Sequence, residues 1–568
     1  MAKIHWLNPV NGNFSHGADW GGGVTPGKDD DALLDAAGSQ SYTVKVTALT
    51  TVSAIETAAN ATLEVADGEI FTVTKGTADG VNAGHIVVED NGRLSIGGTV
   101  DNTGSIFLNS VNTYVDFQVR SNLVLTGGGV VQFSDNSRNS LVQDSNTHVE
   151  NVDNTFSGAG VIGDGYGFFM KNDSQGTIDA SFSDNPLILG SDSNIAGPGS
   201  LSNAGVIEST GGAELEIGYI SLSGSGGKIS AGVGSSVLIL NSKVTGQTLE
   251  TAAGGSIAIT GSRVKIAGTM SNAGTVKVTA SHAVDGVTLT ANAVLTGGGS
   301  LTLSNNANNF IKGSQAADVL TNADNTISGA GDLGDGVLTI VNDASGVIKA
   351  NDLKPLTIDT GANTVSNAGL LEAINGGAMN VLSAVANSGT LVAMGGTLSV
   401  DGVVTGSGVG LIDDGTLSLA DTFNENVEFN GTTGVLKLAQ SQTYSALVMG
   451  FSSVGRTSFD LGDIGFAGAG EATFSGTASG GVLTVTDGTH TANINLEGDY
   501  LDATFVASSD GAGGTNVVAQ SAQTPSPTHF ASAMAAITGH GVAAGLIDAR
   551  AVNEGRQMML AAPRLAIA

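Results

Sequence analysis

Two glycine-rich words place carboxylates on what must be tight turns. They are Gly158-Ala159-Gly160-Val161-Ile162-Gly163-Asp164-Gly165 and its copy ending Gly334-Asp335-Gly336. An acidic chain attracts divalent cations, so Asp164 and Asp335 are candidate metal ligands. Asp460, Asp463, Asp487, Asp499 and Asp510, further along the chain, are candidates of the same kind. The competing reading is a glycine corner carrying a solvated aspartate, and it carries more weight because each block stands alone.

Catalytic chemistry finds less support. A polyuronate lyase or epimerase needs a base and cations that neutralise a carboxylate, and a hydrolase needs two carboxyls at a set separation. The 8 histidines and 21 Lys plus Arg are scattered. Asp413 and Asp414 are adjacent, so in a strand they face opposite ways. No Ser/His/Asp motif or phosphate loop is apparent. The expectation is a protein that is not an enzyme, with a polysaccharide lyase, epimerase or hydrolase as the alternative.

The elements that would carry these residues are short strands. Among 568 residues there are 84 glycines, 8 prolines and 5% aromatics, with 41% hydrophobic content. That composition excludes collagen and argues against disorder. Runs such as Tyr42-Thr43-Val44-Lys45-Val46 alternate as half-buried strands do, and Gly, Asn, Asp and Ser punctuate them. The net charge of −31 repels nucleic acid and anionic lipid. Cysteine is absent, which excludes disulfides and thiolate metal sites. No apolar run reaches the length of a membrane span, and Met1-Ala2-Lys3-Ile4-His5-Trp6 lacks the features of a signal peptide.

The chain is also built by repetition. Leu125-Thr126-Gly127-Gly128-Gly129 returns as Leu295-Thr296-Gly297-Gly298-Gly299, and the register of 170 residues holds over about 93–180 and 263–350. Within it a turn recurs as Asn102-Thr103-Gly104, Asn203-Ala204-Gly205, Asn272-Ala273-Gly274, Asn367-Ala368-Gly369 and Asn387-Ser388-Gly389. Asn and Gly tolerate sharp corners, and stacked Asn side chains can hydrogen-bond in a ladder. The 20 residues from Asn367 to Asn387 fit one coil of a parallel β-helix. Residues 41–435 would then form roughly 16–20 coils, on the order of 80–95 Å at ~4.8 Å per rung.

The opening pattern Trp6, Gly12, Phe14, Trp20, Gly23, Pro26, Asp31 resembles the first segment of bacterial β-helix surface proteins. Physically, an aromatic cap over the first coil is favoured there over a carbohydrate platform. The repeats resemble autotransporter passengers, although no run of long apolar-faced strands follows to make their barrel. Residues 436–521 resemble the C-terminal β module of type I secreted surface proteins, and the tail after Thr524-Pro525-Ser526-Pro527-Thr528 is similar to an uncleaved type I secretion signal. The isolated Gly-Asp words resemble calcium-binding β-roll nonapeptides, which implies calcium as the ion, and the one cofactor, for these aspartates.

These readings give an all-β, right-handed parallel β-helix (β-solenoid). Residues 1–40 form an aromatic N-terminal cap, 41–435 the helix, 436–521 a C-terminal β module and 522–568 a linker and short helical tail. The resemblances imply an extracellular, cell-surface adhesin, biofilm component, or filament or surface-layer subunit. Its partners would be other copies of itself, end to end or laterally, a cell-surface glycan or lipopolysaccharide, and the type I secretion machinery.

Overall fold

The computed structural model describes residues 2–163, 168–190, 199–261, 264–280 and 286–521. The tail and Asp164 lie outside them. Strands pair in parallel with the strand one coil away, which is typically the third one along. Val206–Ser209 lies beside Gly227–Ala231, which lies beside Gln247–Thr251. Three strand columns therefore stack into a parallel β-solenoid of about 19 turns. At ~4.8 Å per rung this is on the order of 90 Å of stacked coils.

Alternation decides which side chains enter the column. In Ala61–Val65 and Thr177–Ala180 every second residue is buried, and the residues between them face outward. Val, Ile, Leu and Ala fill the interior rung after rung, and branched side chains suit the pleated wall. Each rung buries only a few side chains, so stability is close to a sum of neighbouring-rung contacts.

The corners are held by a buried ladder of side-chain amides. Asn82 donates to Asn102 (2.6 Å), and Asn102 donates to Asn154 (2.8 Å). Asn151, which caps the same corner by accepting the Asn154 N–H, donates to Asn172 (2.8 Å). From there the chain runs to Asn203 (2.8 Å) and Gln247 (2.7 Å). A second ladder starts with the Thr251 hydroxyl donating to Asn272, which donates to Asn325 (2.8 Å). Asn322 accepts the Asn325 N–H, then donates to Asn342 (2.9 Å), and Asn367 and Asn387 follow at 2.8 Å each. An amide both donates and accepts, so a single asparagine such as Asn172 bridges the rungs above and below, while the Asn151–Asn154 and Asn322–Asn325 pairs divide that role within one corner.

The two ladders occupy different corners. Gln247 ends the first and Thr251 starts the second, at opposite ends of one five-residue strand. Strand pairing shows the same shift. The column holding Gly160–Ile162 continues through Leu187–Gly190, Glu214–Gly218, Ser236–Leu240, Ser256–Thr260, Thr275–Thr279 and Ser300–Leu303 to Thr326–Ser328. The repeat equivalent of Gly160–Ile162 is Gly331–Gly334, which lies one column over. The second copy is thus turned by one face, roughly 120° in a three-sided coil, so the strands leading into the paired Gly-Asp words lie on different faces of the stack.

Aromatic clusters cover both ends. Trp6 and Trp20 are 1% and 0% exposed and meet edge-to-face at 5.0 Å. Phe14 joins them and reaches Phe71 in the first coils. With both indoles buried they present no sugar-stacking face, and the segment is a cap. At the other end parallel pairing gives way to antiparallel pairing. Thr457–Leu461 pairs with Thr515–Ser521, and Ala472–Thr477, Gly480–Thr486 and Thr491–Glu497 form a meander. Phe451, Phe459, Phe474 and Phe505 pack beneath them.

The last ladder amide, Asn387, donates to Oε2 of Glu425 at 2.6 Å. Glu425 is 4% exposed, and its Oε1 has no partner among the described residues. Burial raises its pKa, against the lowering effect of the Asn387 bond. An acid with a raised folded-state pKa stabilises most below its unfolded pKa, and this contribution is lost as pH rises through the folded value. Glu425→Gln, which keeps an acceptor for Asn387, is therefore expected to be more stable than the parent at pH 7 and to lose that advantage near pH 4, measured by thermal melting. Asn342→Ala removes one ladder rung and should cost on the order of 1–3 kcal/mol. Hydrogen exchange should quicken in the rungs around 322–370 and stay unchanged at the N-terminal cap.

Candidate functional site

Among the described residues, the aspartates singled out from the sequence are dispersed and already engaged. Asp335 sits on a left-handed turn (φ 48°), and its carboxylate holds Lys312 Nζ at 2.8 Å. That ammonium also lies 4.7 Å from the centre of the Phe310 ring. The cation at this Gly-Asp word is the chain's own lysine, and the first copy has Val142 at the corresponding place. Asp460 pairs with Lys437 at 2.8 Å, and Asp463 accepts the Ser441 hydroxyl and the Gln442 N–H.

Asp487 accepts N–H groups from His490, Thr489 and Gly465, and these bonds, with the His490 ring, hold its pKa well below the usual carboxylate range. Asp510 is lowered likewise, chiefly by the Ala512 N–H, and Asp499 accepts the Leu501 N–H. Among the described residues, no three His, Asp or Glu side chains converge as a bound metal would require.

One acid pair has no sequence signature. Asp179 and Glu208 are register partners on adjacent rungs, both facing outward. They are 29 positions apart in sequence because this coil carries a long insertion, so no fixed spacing marks them. Burial, then the Glu208 charge, outweighs the Thr210 hydroxyl bond and raises the Asp179 pKa to about 6. Asp413 and Asp414 both bring Oδ1 close to Gly431 at a corner, where Asp414 (φ 54°) accepts the Thr433 N–H at 2.6 Å.

A depression lies near the C-terminal end of the solenoid, with a volume of about 440 Å³. It follows one corner as successive connections lengthen. Residues 395–396 and 414–415 turn between strands in two residues, 430–433 in four and 450–456 in seven. The short corners demand glycine. A Cβ on Gly396 would come within 2.7 Å of the Ala373 carbonyl, and one on Gly415 within 2.5 Å of the Ala393 carbonyl oxygen. The short corners form a low shelf, and the longer ones raise a wall carrying Thr433 and Arg456.

Beside the shelf, Thr397, Thr416, Val435, Ser458 and Val518 form one outward row by strand register. Arg456 is exposed, and no described residue takes a hydrogen bond or ion pair from its guanidinium. The arrangement offers hydroxyls, exposed backbone and one free cation. It contains no histidine and no carboxylate pair.

Fold and site together define a parallel β-solenoid repeat protein with a polar trough near its C-terminal end. A scan against protein-family models finds no match to the chain, and a search of curated proteins finds none either. Carboxyl NMR of the protein labelled at aspartate should show one residue titrating near pH 6, and Asp179→Asn should remove that signal. Because the folded pKa is raised, this group favours the fold below about 4 and loses that contribution as pH rises through about 6.

Proposed function

We propose that this is a secreted, non-enzymatic bacterial surface or matrix protein, an adhesin, biofilm component or surface-layer or filament subunit, whose stacked coils act as a rigid shaft. The observation that carries this reading is the continuity of the solenoid over about 19 turns, fastened internally by amide ladders. Such a column spaces surface groups at one rung, ~4.8 Å, along its length. The acidic surface suits a solvated extracellular role. The aromatic cap and the antiparallel module cover the column ends, which favours self-association along the sides over end-to-end growth.

Labelling the protein on intact cells tests the reading: signal at the cell surface or in the surrounding matrix is expected, and signal confined to the cell interior would overturn it. Removing residues 522–568 should abolish export, and unchanged extracellular protein would discard the type I route. The Asp179–Glu208 pair supports a second reading, an enzyme acting on polysaccharide. Reducing ends or unsaturated products released from a glycan panel, and lost in Asp179→Asn, would establish it in place of the first.

A further inference from the structure

We propose that the trough beside Arg456 binds a carboxylate-bearing sugar residue within an oligosaccharide. This deepens the surface-protein reading by naming a ligand class for it. The volume of about 440 Å³ lies within the range of small-ligand sites, roughly 300–1,000 Å³. The trough runs across successive rungs from Gly376 to Val518, so it accommodates several linked units rather than one.

Its chemistry separates sugar from other ligands. The Thr397, Thr416, Thr433 and Ser458 hydroxyls and the Asn516 amide both donate and accept, as ring hydroxyls do. Val435 and Val518 give a small apolar strip for the C–H face of a ring, and as the only apolar side chains of the lining they are too few to anchor a peptide side chain. No aromatic ring lines the trough, so stacking cannot supply the affinity. A single cation among hydroxyls fits one carboxylate better than a polyphosphate, which calls for clustered Arg and Lys.

Arg456 is the natural partner, because a planar guanidinium meets a carboxylate in two parallel hydrogen bonds. It is also uncommitted in a chain of net charge −31, whereas Lys312 and Lys437 are held by Asp335 and Asp460. On the shelf side Asp414 spends Oδ1 on Thr432 and Thr433, and Oδ2 takes part in no described hydrogen bond. That oxygen can accept a sugar hydroxyl.

The test is isothermal titration of the full-length protein with trigalacturonate and with a neutral galacto-oligosaccharide of the same length. Saturable binding of the acidic sugar is expected, at least tenfold tighter than the neutral one. Arg456→Gln should weaken it at least tenfold with unchanged melting temperature, since this side chain supports nothing else. Thr416→Val should weaken it several-fold, and Arg120→Gln, on a distant rung, should leave it intact. No binding by the parent protein, equal binding of both sugars, or binding indifferent to Arg456→Gln would each overturn the proposal. Cell-surface labelling is read separately, so a failed titration leaves the surface reading standing, and interior labelling with intact binding would remove the surface reading alone.

Discussion

The side-chain amide ladder that runs along one corner of the stacked coils is the interaction on which the rest of this structure depends. A coil of three short strands must turn sharply, and the turn takes polar backbone into a dry interior. Leaving such groups unpaired would cost on the order of 1–3 kcal/mol each. Asn172 shows the solution. Its amide donates at once to the Gly176 carbonyl in its own corner and to Asn203 in the next rung. Local turn and long-range stacking are therefore satisfied by one residue. The glycine two to four positions later is needed for room, since a Cβ on Gly205 or Gly369 would fall within about 2.2 Å of a carbonyl oxygen in the rung before.

Much of this was legible in the sequence because the signal is carried by single residues at corners. Asn102, Asn203, Asn272, Asn367 and Asn387 were all identifiable from the Asn-x-Gly turns, and all five are buried in a ladder. Asn82 has the same Asn-x-Gly form, whereas Asn151, Asn154 and Gln247 join without that turn, so their membership appears only once the rungs are stacked. The aromatic cap was legible too, from bulky side chains concentrated at one end of a chain otherwise poor in them.

What the sequence hid depends on which rungs become neighbours. Asp179 meets Glu208, and Thr416 meets Val435 and Thr397, only because intervening corners differ in length. The Gly-Asp words read alike in both copies, yet Lys312 neutralises Asp335 from a neighbouring rung through a position that is valine in the first copy. The trough has the same origin. No motif marks it, because its walls come from corners that grow from two residues to seven while the strands keep register.

The single-column shift at Gln247–Thr251 bears on how a chain like this can lengthen. Block copying normally multiplies a surface feature along one side of a rod. Here each added block would carry its features to the next side, and a third would complete the circuit. Growth by whole blocks would thus trade valency in one direction for coverage of all directions, converting a one-sided ruler into a spiral staircase. The sidedness of the molecule is set by a five-residue strand whose two ends belong to different ladders.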